Sequence, residues 1–231
     1  MAKSLISTFF ALSLADTVCR DLTRLAVEDC VTKCSFADVL IASDRKIEVS
    51  GATHIPVEFS GLADADTFRW TWGQYVRTTH MLVIEWDSWI LDANHWSQFW
   101  LDYDYIGAPW PFRTENRVGN GGFSLRSRDL LNFLIAHPNA FVNKVHEDDT
   151  LCRQYRNELE KDGFIWAPDS VAARFSFERS IPLPTFGFHG IFNWKHTLGR
   201  DEYIRRLSMC PEYVRRGRAW SEVEADLRLA A

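Results

Sequence analysis

Two carboxylates one residue apart, Glu85 and Asp87, directly follow the most strand-like stretch of the chain, Met81-Leu82-Val83-Ile84. In an open α/β sheet, ligands bind beyond the carboxyl ends of strands, and residues i and i+2 project to one side while the residue between faces away. Paired oxygen ligands at such an edge suit a divalent cation; acids in a solvated turn are the plainer alternative. A second pair, Asp102 and Asp104, follows an amphipathic stretch and reads as loop structure. Gly119-Asn120-Gly121-Gly122 lacks the Lys-Ser/Thr of a phosphate loop and leads into a strand, so its glycines serve either a turn or the close approach of backbone to a ligand. Glu147-Asp148-Asp149 opens a helix, where the macrodipole favours acids and capping alone explains them. His189 sits between Phe186-Gly187-Phe188 and Gly190, a setting that fits an imidazole at a cleft as well as a structural one.

The elements that must hold these residues follow from apolar periodicity. Residues 4–12 read as a first buried strand running into a helix capped by Asp16, with Val18, Leu22, Leu25 and Ala26 at helical spacing. The same segment, with Lys3 ahead of it and the small Ser13 and Ala15 behind, imitates a short signal peptide, but the rest of the chain needs it as a strand. Further strands are expected at 37–42 (ending in Ser43-Asp44), 54–59, 81–84, 123–126 and 164–167. Helices are expected at 64–77, at 129–136 before Pro138, at 148–161 before Gly163, and twice in the tail, the last opened by a capping box of Ser221 with Glu224. Trp96, Phe99 and Trp100 make one face of a short helix. Strand and helix in alternation argue for an α/β fold: a mostly parallel sheet flanked by helices.

At 231 residues, without repeats or a linker, a single domain is the expectation. A net charge of -5 excludes the bulk positive field of a non-specific nucleic-acid binder. No stretch approaches the ~18 apolar residues that a membrane-spanning helix needs. Five cysteines without a CxxC pair indicate neither a disulfide framework nor a zinc ribbon; reduced thiols fit a cytoplasmic protein. Ten tryptophans exceed the usual needs of a core and suit sugar rings, nucleobases or partner surfaces equally.

Taken in order, Trp86-Asp87, Tyr103-Asp104-Tyr105-Ile106-Gly107-Ala108-Pro109-Trp110-Pro111, Val118-Gly119-Asn120-Gly121-Gly122-Phe123-Ser124-Leu125-Arg126-Ser127-Arg128, Glu147-Asp148 and Phe186-Gly187-Phe188-His189-Gly190 resemble the DUF5672 family, itself related to glycosyltransferases of the GT-A fold. The resemblance runs from about residue 37 to 195. It implies a GT-A-like (Rossmann-like) nucleotide-sugar transferase domain over 1–195, with 196–231 as a C-terminal helical extension of the same domain. The implied activity is metal-dependent transfer of a sugar from a nucleotide-diphosphate donor to an acceptor hydroxyl of a saccharide or glycan. Asp87 takes the place of the metal-binding acid of the Asp-x-Asp motif, and His189 resembles the late His that completes the metal site; an Asp and His pair favours Mn²⁺ or Mg²⁺. Where the family commonly has Gln-Trp-Asp-Gly, this chain has Glu85-Trp86-Asp87-Ser88, which makes Asp87 a safer ligand than Glu85. Glu147 and Asp148 resemble the Glu-Asp pair of inverting enzymes, in which an acid deprotonates the acceptor. Asp44, Glu85, Trp86, Asp87, Gly121 and Gly122 are thereby expected at the donor, and Trp110 and Phe188 as stacking surfaces for the acceptor.

Three other functions compete. A sugar nucleotidyltransferase would carry a Gly-rich, basic phosphate loop after its first strand, and Leu12-Ser13-Leu14-Ala15-Asp16 has none. A non-catalytic carbohydrate-binding protein would explain the tryptophans but has no need of Asp87, Asp148 and His189 together. A glycosyltransferase acting on a hydroxylated base in DNA draws on the tail, where seven Arg between 200 and 231 stand against six acids, a balance that a solvated helix face explains as well.

Overall fold

The apolar run ending at Ile84 lies inside the main sheet of the computed structural model, which describes residues 6–10, 19–58, 68–141 and 146–228. The strands are β1 (Ile6–Phe10), β2 (Asp38–Ser43), β3 (Ala52–Pro56), β4 (His80–Ile84), β5 (Trp89–Ile90), β6 (Tyr105–Gly107), β7 (Phe123–Ser127), β8 (Ser176–Phe177) and β9 (Gly187–Phe188). Six of them form one sheet in the order β3-β2-β1-β4-β7-β6, and β5-β9-β8 form a second. In the larger sheet β1 pairs in parallel with both β2 and β4, and β2 with β3. β7 runs antiparallel to β4, with Met81 opposite Arg126, and antiparallel to β6. The sheet is therefore mixed: three of its five pairings are parallel, as expected, and the two made by β7 are antiparallel, since reversal of one strand leaves no mark on its hydrophobic pattern.

β4 is buried along its whole length. Leu82 and Ile84 enter the larger core, whereas Met81 and Val83 enter a smaller one with Leu40, Ala42, Ile55, Trp72, Val76 and Leu131. A strand covered on both faces reads as a continuous apolar run, as this one does. Helix α1 (Arg20–Val31) buries Leu22, Thr23, Ala26, Val27 and Cys30, a stripe at helical spacing. Each fully buried Leu or Val there contributes roughly 1.5–3 kcal/mol. Helix α2 (Arg128–Ala136) starts where the Ser127 hydroxyl accepts the Leu130 N–H at 3.1 Å.

Other expectations shift. Asp16 and Val18 lie outside the described residues, as do 64–67 of the expected helix at 64–77; the described remainder is helical at 68–69 and then passes into turns, including a 3₁₀ turn at Trp72–Tyr75. β3 begins two residues before the predicted strand and stops at Pro56. The aromatic face at Trp96, Phe99 and Trp100 rests on two 3₁₀ turns. The helix expected at 148–161 is divided into one turn, α3 (Glu147–Asp149), a π turn (Thr150–Gln154), and α4 (Arg156–Lys161). Residues 164–167 form no strand, only a bridge from Trp166 to Tyr105. The chain then passes through α5 (Asp169–Phe175) into β8. In the tail, the Ser221 hydroxyl donates back to the Arg218 carbonyl at 2.8 Å inside a 3₁₀ turn, so the predicted capping box does not form.

The tail closes onto the same core as α1. Helix α6 (Arg200–Met209) buries Tyr203 and Leu207, and Val214, Trp220 and Val223 follow them into that core. Arg206 of α6 pairs with Asp29 of α1 at 2.8 Å and lies over the Trp89 ring of β5 at 4.6 Å. Among the described residues no helix is long and apolar enough to cross a membrane.

Candidate active site

The residues singled out by chemistry converge just past the end of β4. The Ser88 hydroxyl, wholly buried, accepts the Glu85 N–H at 2.9 Å and donates to the Gly122 carbonyl at 2.8 Å, locking the turn that carries Glu85 and Asp87. Trp86 faces away as the strand alternation requires and packs in the core, edge-on to Trp194 at 5.7 Å. The Asp87 Oδ2 accepts the Ile191 N–H at 3.1 Å. Its Oδ1 is buried and has no hydrogen-bond partner among the described residues.

The second sheet supplies the imidazole. β9 lies between β5 and β8, and the His189 N–H that follows it bonds the Phe177 carbonyl at 3.0 Å. This places His189 Nε2 3.3 Å from Asp87 Oδ1 and 3.6 Å from Glu85 Oε2. Ligand atoms of Glu85, Asp87 and His189 all lie within 4.8 Å of one another. Atoms ~2.1 Å from a shared octahedral ion sit about 3–4 Å apart, so two carboxylates and an imidazole at these separations could hold a metal ion, and Asp87 Oδ1, buried without a hydrogen bond, is the atom that such an ion would satisfy. Glu85, which the family pattern made doubtful, is one of the three. Arg69 lies 3.4 Å from its Oε1.

On the far side of the ring, His189 Nδ1 is 3.3 Å from Glu178 Oε1 and 2.9 Å from Asn120 Nδ2. Asn193 fixes both neighbours, donating to the His189 carbonyl at 2.7 Å and the Glu178 carbonyl at 2.5 Å. Burial by itself would lower the basicity of His189; Asp87, Glu178 and Glu85 outweigh it and hold the imidazole well above its ordinary pKa. For Glu85, burial opposes ionisation but His189 and Arg69 prevail and lower its pKa.

The glycine-rich loop meets both halves of the site. A Cβ on Gly122 would stand 2.2 Å from His189 Nε2, so this glycine makes room for the imidazole and not, as expected, for a sugar. The Gly121 N–H donates to Asp148 Oδ2 at 3.1 Å, and a Cβ there would press Glu147 and Asp148 at 3.2 and 3.3 Å. Asn120 and His146, on either side of this contact, hold left-handed backbone at φ 66° and 57°. Asn tolerates that region; for His it stores strain on the order of 1 kcal/mol. Asp148 Oδ1 accepts the Asp149 N–H at 2.8 Å. Burial raises the Asp148 pKa, against the pull of its two backbone donors.

Its neighbour Glu147 is placed otherwise. It is buried, and Arg126 of β7, itself fully buried, grips it with Nη1 on Oε1 and with Nη2 on Oε2 at 3.1 Å. Arg126 also donates to Ser124 Oγ at 3.1 Å and lies over Trp72 and Tyr105 at 5.0 and 5.1 Å. Burial works against its charge, but Glu147 keeps the guanidinium protonated. A carboxylate so enclosed cannot reach an acceptor hydroxyl, which removes Glu147 from the catalytic set.

The structure does not bring the remaining predicted residues into this cluster. Asp44 follows β2 and is held by Arg20 through two bonds of 3.1 and 2.7 Å. Phe188 is fully buried, edge-on to Trp89 at 4.6 Å, and offers no stacking surface. Trp110 is buried with Gly119 tight against its ring, while Phe112, stacked on it at 6.3 Å, is exposed. The tryptophan surplus goes inward: nine of the ten are buried and Trp96 is partly so. Asp104 clamps Ser127 and the Ile165 N–H, consistent with loop structure.

The family described as "Protein of unknown function (DUF5672)" matches residues 59–189, more than half of the chain. The chain belongs to DUF5672. The match takes in every member of the Glu85, Asp87, His189, Asp148 and Glu178 cluster and leaves out the tail. No curated protein matches the sequence. Among solved structures, a glycosyltransferase involved in the glycosylation of the major capsid of PBCV-1 is similar at 11% identity and a TM-score of 0.54, over 89% of this chain and 98% of its own. The galactosyltransferase LgtC, solved in complex with donor and acceptor sugar analogs, is similar at 12% identity and a TM-score of 0.52, over 90% and 99%. At such identities the likeness is one of fold: this DUF5672 chain has an α/β fold similar to those of glycosyltransferases.

Proposed function

We propose that this protein is a metal-dependent, GT-A-type glycosyltransferase that moves a sugar from a nucleotide-diphosphate donor to a hydroxyl of a saccharide or glycan. The observation that carries the reading is the buried Asp87 Oδ1, without a hydrogen bond, facing Glu85 and His189, on a fold like that of LgtC, which binds donor and acceptor sugar analogs. In this reading Asp87, His189 and Glu85 hold Mn²⁺ or Mg²⁺. Bound there, the cation neutralises charge on the departing diphosphate.

The chain's own residues do the rest. Asp148 accepts the proton of the acceptor hydroxyl as its oxygen bonds to the anomeric carbon and the carbon–oxygen bond to the diphosphate breaks. Burial, by raising the Asp148 pKa, makes it a stronger base once ionised, and the Gly121 N–H aims it. Arg126 and Glu147 position the turn that carries it. Asp44 and Gly121 remain with the donor, and Trp110 backs the exposed Phe112 as an acceptor platform. Residues 1–195 form the transferase domain and 196–231 its helical extension. Five free, buried thiols support a reducing, cytoplasmic setting. A saccharide acceptor is favoured over a DNA base because Arg205, Arg206, Arg216 and Arg228 of the tail are each paired with an acid of this chain.

The test is thermal shift across a panel of nucleotide sugars with Mn²⁺ or EDTA, followed by a transfer assay with the responding donor. A donor should stabilise the protein only with the metal, and Asp87→Asn should abolish the shift. Full transfer in excess EDTA would overturn the metal assignment.

A further inference from the structure

Two short segments carry the His189 side of the open cluster, and one arginine joins them. The first ends in Glu178: β8 pairs only through Ser176 and Phe177, so the ladder stops one residue short of the carboxylate that faces His189. The second runs from His189 to Asn193, and within it the Ile191 N–H holds Asp87 Oδ2 at 3.1 Å. Phe192 folds back on this segment, so closely that a Cβ on Gly190 would stand 2.4 Å from its ring; Gly190 also holds a positive φ of 100°. Arg179, the residue after Glu178, lays its guanidinium over the Phe192 ring, 3.6 Å from the centroid. Its Nη1 reaches both carboxylate oxygens of Glu222, at 2.6 and 2.8 Å. Glu222 belongs to the tail, beyond the stretch matched to DUF5672, and stands between Trp220 and Val223, both buried in the core.

We infer that Arg179 and Glu222 are positioning residues of the metal site: the tail, by gripping Arg179 over Phe192, holds Glu178 and His189 in the relative placement that a cation requires. The inference rests on the metal-dependent reading above and adds the tail to that site. Arg179 and Glu222 are 34% and 38% exposed, and an ion pair so open to water contributes little to stability. Its contribution is geometric. Asn193 ties the two segments together at the Glu178 carbonyl, and Arg179 ties them again one residue on. Two points of attachment fix an orientation that a single one leaves free to pivot. A guanidinium held by a carboxylate on its edge and a ring on its face has little freedom of its own, so it passes the anchorage of the tail to both segments.

The experiment is titration calorimetry of the metal-free full chain with Mn²⁺, together with hydrogen exchange before the metal is added. Arg179→Ala should bind Mn²⁺ about tenfold more weakly than wild type, the low end of what loss of an outer partner of a metal ligand costs, and Glu222→Ala should lose affinity in the same direction by less. In both variants the amides of His189 and Ile191, bonded to the Phe177 carbonyl and to Asp87, should exchange faster than in wild type. Arg216→Ala, which breaks an exposed ion pair of the tail with Glu212, should change neither affinity nor exchange at those amides. A purely structural pair predicts a lower melting temperature with Mn²⁺ affinity unchanged, and wild-type Mn²⁺ affinity in Arg179→Ala overturns the inference alone. A wild type that binds no Mn²⁺ overturns the metal-dependent reading and the inference with it.

Discussion

Two buried charge clusters flank the same glycine-rich loop, and they are finished to different degrees. Arg126 and Glu147 saturate each other through two bonds, and the guanidinium's remaining faces meet Ser124, Trp72 and Tyr105. Around His189, three carboxylates (Glu85, Asp87, Glu178) face one imidazolium and, through Glu85, one guanidinium, Arg69. Three negative charges against two positive leave one uncompensated, and Asp87 Oδ1 is buried with no hydrogen bond, only its ion pair with His189 at 3.3 Å. With a divalent cation in place of the imidazolium proton, two positive charges from the ion and one from Arg69 balance the three carboxylates. Buried polar groups are satisfied almost everywhere in folded proteins, so a closed pair marks architecture and an open valence marks a place for a ligand.

The comparison is broken most sharply by two adjacent acids. Asp148→Asn should lower the rate of transfer by roughly 10²–10⁴ while donor affinity stays near that of wild type. The amide keeps one acceptor for the two backbone donors, so stability should fall by only about 1 kcal/mol. The acid limb of the wild-type rate profile should lie above the ordinary Asp range, because burial raises this pKa, with activity gained as pH rises through it. Transfer at the wild-type rate in Asp148→Asn would remove the base and point to a retaining route. Glu147→Gln should behave in reverse: it strands a buried guanidinium and should cost about 3–5 kcal/mol in denaturant unfolding. Should that variant not fold, Arg126→Met with Glu147→Leu replaces the pair by apolar groups and should restore stability to within a few kcal/mol of wild type, with Mn²⁺ affinity retained. Loss of Mn²⁺ binding in that folded double variant would mean that the two clusters are one.

The two clusters were unequally legible in the sequence. The end of β4 was readable because its information is local: four apolar residues in a row and two acids at i and i+2 need no knowledge of the rest of the chain. His189 and Asp148 were ambiguous by spacing and gained their roles through resemblance to a family. Arg126, Asn120 and Glu178 were not singled out as functional at all. Arg126 meets Glu147 because β7 runs antiparallel to β4, and Glu178 meets His189 because β8 lies parallel to β9, and pairing direction is written in no local pattern. Gly122 had a signal of the right kind, a residue without a Cβ, but only the fold shows that an imidazole fills the space. The tryptophans misled for a related reason: composition counts rings but not the side of the surface on which they end.

The smallest expected effect is the one that tests whether the open cluster has an outer layer. For His189 Nε2 to hold a cation, its lone pair must be free, so the ring proton must sit on Nδ1 and needs an acceptor there. Glu178 Oε1, 3.3 Å away, is the carboxylate in that position, itself steadied by Asn193 through its carbonyl. Such a partner fixes the tautomer and raises the basicity of the liganding nitrogen, and its removal typically costs 10–100-fold in metal affinity. Glu178→Gln keeps the size of the side chain and an acceptor oxygen but loses the charge, so Mn²⁺ affinity measured by titration calorimetry should fall by roughly 10-fold, at the low end of that range. Glu178→Ala, which also removes the acceptor, should approach 100-fold. A purely structural role predicts another pattern: Ala lowers the melting temperature, Gln does not, and neither changes the affinity of the folded protein for Mn²⁺. Wild-type Mn²⁺ affinity in folded Glu178→Ala would separate Glu178 from the metal site.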